Sequence, residues 1–426
     1  MKIAYVSLGC PKNIIDLETI LGGFGDHVEI VSDPAVADAT LINTCAFIES
    51  SKRESIDSIF DILQIKTENP QHKVLVTGCL PQRYQEELKA ELPEVDGVFS
   101  MVDATKTAAQ VRSFLQVENH TPVQRKRITP LHYSYLRIAE GCNNRCSYCA
   151  IPLIKGRYQS RPISDIIAEA QNLAQRGVKE LIVVAQDTTF YGRDLPDNVS
   201  LPEILSELNE IRDLEWIRLL YTHPAHWSEA LIETVAGLPK VVKYIDLPIQ
   251  HISDRILEKM GRGVNRKQTV SLIERLRQRI PGLVLRTSLI VGFPGETAED
   301  FNELLQFIRD TGFERLGAFT YSHEEGTRAF SFPDDISEKV KADRQQQVME
   351  LQAEIAVEYN ESLIDKNLRV LVDYVDMEQK LAFGRTQWDA PEIDNSVQIP
   401  LPANAGEFYN VRIRSADIYD LFGELV

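Results

Sequence analysis

Three cysteines crowd into Glu140-Gly-Cys-Asn-Asn-Arg-Cys-Ser-Tyr-Cys-Ala150, a C-x-x-x-C-x-x-C run with no fourth cysteine or histidine beside it. The run demands a loop that presents three thiolates together, and it leaves their ligand set one short. Soft sulfur ligands favour iron–sulfur clusters, and a cubane held by three cysteines keeps one iron open to an outside ligand. A structural zinc ion is the competing reading. Such sites are almost always four-coordinate, however, and the nearest histidine, His132, precedes the loop on a predicted strand.

The remaining cysteines, Cys10, Cys45 and Cys79, are far apart in the chain but share a context. Each closes an apolar run that reads as a buried strand: Ile3 to Cys10, Thr40 to Cys45 and Val74 to Cys79. Helical patterns at Asp16 to Leu21 and Ser51 to Ile65 separate them, so the order is β-α-β-α-β. In an open parallel sheet of this kind ligands bind beyond the carboxyl ends of the strands. One such cysteine is as well explained by burial in a core. Three at the ends of successive strands point to a second ligand set, and the two sets account for all six cysteines of the chain. Disulfides do not suit a chain read as having no secretory signal, since Met1 to Gly9 looks like a strand. No apolar run approaches the roughly 20 residues of a membrane span, so a cytoplasmic location is expected and no membrane partner.

At 426 residues the chain should hold about three domains. The first boundary falls between Glu118 and His132, where Pro122 and Pro130 flank Arg125-Lys126-Arg127. A short basic run is usually a solvated connector, contact with a substrate or a partner domain being the alternative. Strand and helix patterns then alternate. Strands are predicted at 134–139, 180–185, 216–221, 243–247, 284–291 and 316–321, with helices such as 164–176, 201–211, 267–278 and 297–311 between them. After a helical stretch over 337–363, short strands follow at 368–375, 381–384, 396–400, 407–413 and 421–426, which suits a small five-stranded antiparallel barrel. The expected domains are 1–118, 132–358 and 361–426, making the chain α/β with a β-barrel at its end.

The 140–150 run resembles the signature of radical S-adenosylmethionine enzymes. Together with Ser7-Leu-Gly-Cys-Pro-Lys-Asn13, Asn43-Thr-Cys-Ala-Phe-Ile48, Leu247-Pro-Ile-Gln-His251 and Val291-Gly-Phe-Pro-Gly-Glu-Thr297, it makes nearly the whole chain similar to the methylthiotransferases of that superfamily. The resemblance implies an N-terminal methylthiotransferase domain, a partial (β/α)6 barrel and a C-terminal TRAM domain. It also implies two [4Fe-4S] clusters, S-adenosylmethionine and an external electron donor. Cys142, Cys146 and Cys149 would hold the radical-generating cluster, and Cys10, Cys45 and Cys79 the auxiliary cluster that presents sulfur.

Active residues of such barrels sit at the carboxyl ends of the strands. By resemblance, Gln186 and Asp187 should lie at the methionine moiety of S-adenosylmethionine, with Ile290, Gly292 and Glu296 on its adenine side. Tyr148 should offer backbone contacts to the adenine, and Gln250, after the fourth strand, joins the candidate cofactor contacts. Strand-end capping explains each polar residue as readily, and the glycines and prolines of 292–295 can equally just shape a turn. His223 and His226 receive no assignment.

The chain carries 63 acidic and 46 basic residues, a formal net charge of −17. Residues 361–426 hold 12 acidic against 6 basic side chains, leaving −6. Phosphate backbones call for Lys and Arg, so this barrel is poorly equipped for tRNA and DNA is not an expected partner. An acidic surface complements a basic protein, although net charge also serves solubility alone. The stretch Gly384 to Asp394, with Trp388 among its acids, and the pair Gln250-His251 resemble the branch of the family that modifies an aspartate of small-subunit ribosomal protein twelve. Trp388 with its flanking acids is therefore expected to form a contact loop for the protein substrate, burial of the tryptophan in the core of so small a barrel being an equal reading. The alternatives are the same chemistry on a tRNA adenosine and, in another class, a two-cluster electron carrier.

Overall fold

Successive apolar runs pair side by side into three large sheets, beside a two-stranded ribbon of Ala139–Glu140 and Gln159–Ser160, in the computed structural model, which describes residues 1–25, 28–101, 103–118, 125–197 and 199–426. The first sheet has five parallel strands in the order Glu29–Val31, Lys2–Ser7, Ala39–Thr44, Lys73–Gly78, Gly97–Val98. Its three central strands are the three that lead into cysteines. The two edge strands escaped the sequence reading because three and two residues cannot display a period of two.

Six parallel strands form the second sheet in chain order: Tyr133–Arg137, Glu180–Val184, Trp216–Leu219, Val241–Asp246, Val284–Val291 and Arg315–Thr320. Helices follow the strands as expected of three-quarters of a barrel. Their starts are written locally: Thr297 and Asp300 form a capping box for Ala298–Thr311, and Asn265 and Gln268 do so for Arg266–Arg279. One sheet face, carrying Leu136, Leu181, Val183, Ile217 and Ile245, is covered by these helices. The other, carrying Tyr135, Ile182, Val184, Trp216, Val242 and Tyr244, faces the barrel interior. Burial on both faces explains why the strands read as unbroken apolar runs.

The interior is filled from two directions. Ile15, on helix Pro11–Gly22 of the first domain, packs with this set, and so do Leu371 and Ala390 of the C-terminal domain. That last domain is a closed barrel of Asn367–Asp376, Leu381–Thr386, Ser396–Pro400, Asp420–Leu425 and Phe408–Ala416, joined to the sheet by the helix Glu338–Glu361.

Two expectations need correction. The basic run is not a solvated connector: Arg125 is largely buried and donates to Glu18 at 2.6 Å, Glu169 at 2.6 Å and Ser134 at 3.0 Å, while Ile128 N donates to Glu18 at 2.8 Å. Glu18 is fully buried, so a cation is needed there. Pro122 lies outside the described residues. Nor is the 384–394 stretch a free acidic loop. Asp389 is buried against Arg315 at 2.7 Å, Asp394 accepts from Tyr244 at 2.7 Å and pairs with Arg286 at 3.4 Å, and Trp388 Nε1 donates to the Gly282 carbonyl at 3.0 Å. The stretch seals the amino-terminal mouth of the partial barrel. No helix among the described residues is long and apolar enough to cross a membrane.

Candidate functional site

At the carboxyl ends of the first sheet's central strands, Asn13 fastens three loops together. Its Nδ2 donates to the carbonyls of Leu8 and Thr44, both at 3.0 Å, while the Cys79 thiol donates to its Oδ1 at 3.5 Å. Asn43 Nδ2 donates back to the Asn13 carbonyl at 2.6 Å. The two glycines preceding cysteines make this approach feasible. Gly9 has φ +90° and a Cβ there would stand 2.9 Å from Cys45 Cβ; Gly78 has φ +102° and its Cβ would meet the Thr44 carbonyl at 2.4 Å. Cys10, Cys45 and Cys79 thus converge closely enough to act on one another electrostatically. Burial, and next the neighbouring thiols, pushes Cys79 up to about 12, and burial raises Cys45 as well.

The second triplet lies across a narrow junction, on the loop after the first barrel strand. Ser147 N donates to the Met260 carbonyl at 2.7 Å and Ser147 Oγ to the Lys259 carbonyl at 2.8 Å, pinning the loop's centre. Cys142 N donates to the Gly156 carbonyl at 3.1 Å, pinning its start. Burial and the charges of their neighbours push Cys142 up to about 11 and Cys149 up to about 12. Arg262 Nη1 stands 3.3 Å from Cys146 Sγ and 3.3 Å from the Tyr148 hydroxyl.

These thiols fit iron better than they fit their own protons or each other. All six are free, Cys45 and Cys79 buried and the other four partly so, and sulfurs gathered in threes become thiolates once a multivalent cation offsets their mutual repulsion. Their spacing also suits a cluster rather than one ion. Among the described residues, the only group of potential ligands whose atoms all lie within 4.8 Å of one another is Asp187, His223 and His226. Neither cysteine triplet is drawn that tightly, which counts against tetrahedral zinc.

Asp187 ends the second barrel strand and is fully engaged. It accepts from Asn144 of the cysteine loop at 2.7 Å, from Thr189 at 2.6 Å and pairs with His226 at 2.7 Å. Burial alone would raise its pKa, but the His226 and Thr189 contacts hold it below the usual range. Gln186 Nε2 donates to Glu140 at 3.0 Å, and its Oε1 is buried without a partner. A polar network spans the junction: Asp16 of the first domain accepts from Lys155 at 2.9 Å and Arg137 at 2.5 Å, and Glu140 pairs with both cations.

The chain matches the Radical SAM superfamily model over residues 136–308, the model of uncharacterized protein family UPF0004 over 2–100 and the TRAM domain model over 364–426. It is 45% identical to the ribosomal protein uS12 methylthiotransferase RimO of Geobacter sulfurreducens, covering 100% of this chain and 98% of that protein. Identity is 44% to the counterpart from Citrifermentans bemidjiense and 42% to that from Chloroherpeton thalassium, with the same coverages. The chain belongs to the uS12 methylthiotransferase family. Solved structures share the fold at low identity. The radical S-adenosylmethionine methyltransferase TsrM from Kitasatospora setae superposes with TM-score 0.55 at 15% identity, over 75% of this chain and 74% of that one. OxsB, a cobalamin-dependent radical enzyme, gives 0.52 at 11%, over 82% and 56%.

Within this methylthiotransferase the candidate residues divide by neighbourhood. Tyr148 and Ile290 pack in one apolar cluster with Phe293 and Tyr321. Gln250 adopts φ +71° and exchanges backbone hydrogen bonds with Ser288 and Ile290, so its backbone shapes the strand end. Gly292 has φ +71°, and a Cβ would lie 2.4 Å from Lys341 Cγ, so the turn hugs the long helix. Glu296 is buried, accepts from Arg344 at 2.9 Å and from Phe293 N at 3.2 Å, and is pushed up to about 7 by burial. These partners tie Glu296 to the Glu338–Glu361 helix. Sequence reasoning missed Asn13, Asp16, Asn144, Lys155 and Arg262: the partners of Asp16 and Lys155 lie across the domain boundary, and those of Asn13, Asn144 and Arg262 on other loops of their own domains. It passed over His226 and His223, whose rings stack at 4.9 Å beside Asp187. Lys12 and Asn13 lie in the 7–13 stretch and Asn144 in the 140–150 run, the signals the sequence offered for them.

Proposed function

We propose that this enzyme methylthiolates the β-carbon of an aspartate in ribosomal protein uS12. The observation carrying the reading is full-length similarity to uS12 methylthiotransferases in a chain whose two cysteine triplets face one junction. Two [4Fe-4S] clusters bound there would supply an electron for reductive cleavage of S-adenosylmethionine and a site of sulfur delivery. Cys142, Cys146 and Cys149 would hold the first, and Cys10, Cys45 and Cys79 the second.

The protein's own groups orient and enclose. Asp187 anchors Asn144, and thereby the 142–149 loop, to the second strand end. The unpaired Gln186 Oε1 offers a buried acceptor suited to the ammonium of the methionine moiety. Tyr148, Ile290 and Phe293 form an apolar wall on the adenine side. The Asp16, Lys155, Arg137 and Glu140 network holds the two cysteine domains in fixed register, as a reaction between two bound partners requires. A second S-adenosylmethionine donates the methyl group, electrons come from an external donor, and the substrate is met in the cytoplasm, free or within the small subunit.

Mass spectrometry of ribosomal proteins and tRNA nucleosides from a deletion strain tests the reading. The methylthio group should disappear from uS12 and return with the gene. Loss from a tRNA nucleoside with uS12 unchanged would overturn the substrate assignment.

A further inference from the structure

Lys12 is the second residue of helix Pro11–Gly22, whose N-cap is Cys10, and only 7% of it is exposed. A cation at the positive end of a helix is disfavoured by the helix dipole, and the first turn holds no acidic residue to compensate. Two other lysines are comparably buried, and both have carboxylates: Lys155 pairs with Asp16 and Glu140, Lys341 with Asp334 and Glu338. Lys12 has neither an ion pair nor a hydrogen bond among the described residues. Its Nζ lies 3.4 Å from the centroid of the Tyr221 ring, and it is not among the sealed, unbonded polar atoms, so the little exposure of this side chain reaches its tip.

Tyr221 follows the third barrel strand, where active residues of such sheets collect. It adopts φ +59°, a strained conformation for a tyrosine, and its N–H is held by Asp246 Oδ2 at 2.8 Å. Tyr221 also feels the charge of Cys10. The ammonium of Lys12 therefore stands where the Cys10 loop meets the mouth of the barrel. The other cations there are committed: Arg137 and Lys155 to Asp16, Arg286 to Asp246, and Arg262 to Cys146 and the Pro248 carbonyl. The fixed carboxylates Asp16, Asp187 and Asp246, with the cysteine sulfurs, repel any anion that enters.

We infer that Lys12 is the specificity residue that receives the side-chain carboxylate of the aspartate being modified. The inference rests on the aspartate reading above and deepens it. The carboxylate is bonded directly to the β-carbon, so a charged hydrogen bond to Lys12 fixes the position of the hydrogen to be removed. It also selects aspartate over asparagine, which is nearly isosteric and carries no charge. Tyr221 holds the ammonium in place through the cation–π contact without neutralising it. If Lys12 only balanced the charge of the cysteine sulfurs, it would have no reason to discriminate between two substrates.

The test uses the reconstituted full-length enzyme, with uS12 carrying either the native aspartate or asparagine at the modified position. Methylthiolated product is quantified by mass spectrometry for wild type, Lys12→Met and Lys12→Arg. Wild type should prefer aspartate by at least about 30-fold, the scale of one desolvated charge pair. In Lys12→Met that ratio should fall to within about threefold of unity, and Lys12→Arg should keep most of it. An undiminished ratio in Lys12→Met overturns the inference. If Lys12→Met emerges short of iron, Lys12→Arg decides: it must still reject asparagine, and equal turnover of both substrates overturns the inference. Failure of the wild type to modify uS12 at all would instead overturn the function proposed above, and this inference with it.

Discussion

Lys155 Nζ donates to Asp16 Oδ2 at 2.9 Å, joining the helix after Cys10 to the helix after Cys149 across the boundary between two domains. Asp16 is 2% exposed, and burial alone would raise its pKa, but Lys155 and Arg137 hold it below the usual carboxylate value. Breaking one side of a buried pair leaves an uncompensated charge, which typically costs about 3 to 5 kcal/mol. Asp16→Asn and Lys155→Met should each destabilise the apo chain on roughly that scale in urea unfolding. The double variant should cost clearly less than the two losses added, and strict additivity would show that the pair is not coupled.

The cysteine assignments predict a division of labour. Reconstituted wild type should hold about eight irons, and Cys146→Ala about four with cleavage of S-adenosylmethionine abolished. Cys45→Ala should also hold about four, yet form 5′-deoxyadenosine on reduction without methylthiolated product. Normal methylthiolation by Cys45→Ala would refute the role given to the first domain.

Much of this arrangement is written locally. Strands ending in cysteines, the capping boxes at Thr297 and Asn265, and the hairpin periodicity of the last domain depend on near neighbours, so the central strands and the six-fold alternation were legible. What was not legible depends on partners distant in sequence. Nothing about Arg125 announces that Glu18 will be sealed beneath it, and nothing about Asp389 reveals that Arg315 waits at the foot of a strand 74 residues away. A charge in a connector or a surface loop is solvated more often than not, and these two are structural because they join domains. The cysteines could be grouped from spacing, whereas Asn13 and Arg262 act through contacts that exist only once three loops have met.

Arg262 offers a spectroscopic test. Its guanidinium donates toward Cys146 Sγ, and hydrogen bonds and positive charge near cluster sulfurs stabilise the reduced, more negative state. Arg262→Met should therefore lower the midpoint potential of the 142–149 cluster in an EPR-monitored titration, with a smaller change in Arg262→Lys. An unchanged potential in both would leave Arg262 with only its structural bonds to the Pro248 carbonyl and the Tyr148 hydroxyl.

Glu296 predicts a dependence on pH. Burial raises its folded-state value from an ordinary 4.5 to about 7, so the folded state binds the extra proton in that interval. Its favourable contribution is complete below about 4.5 and is lost as pH rises through about 7. The total is on the order of 3 kcal/mol. Glu296→Gln has no such proton to lose. Its stability relative to wild type should climb between pH 4.5 and 8, measured by urea unfolding of the apo chain. Neighbouring His251, held down to about 3 by burial, contributes the opposite slope, and its Nε2 stands 3.8 Å from Glu296, so the comparison is made in a His251→Gln background, where that slope is absent from both proteins. A flat difference across that interval would rule out the buried, proton-holding state.

The 384–394 stretch provides the last prediction, because the structure reverses the role its acids suggest. Asp389 is 1% exposed and accepts from Arg315 and Thr386; Asp394 accepts from Tyr244 and from Ala390 N. Both carboxylates face the interior of the barrel rather than a partner. Burial raises Asp394 despite the attraction of Arg286, so some of its charge is poorly compensated even there. Asp389→Asn should cost about 3 kcal/mol or more by stranding Arg315, while Asp394→Asn, which keeps a hydrogen-bonding group and sheds a strained charge, should cost less. Glu392 is exposed and only accepts from Tyr133, so Glu392→Gln should be nearly silent in stability. Unfolding curves for the three single variants check this order. None of them should make the reaction with uS12 less sensitive to salt, as loss of a docking charge at an interface would. A change in salt dependence without a loss of stability in Asp389→Asn would restore this stretch as a substrate contact and remove it from the foot of the barrel.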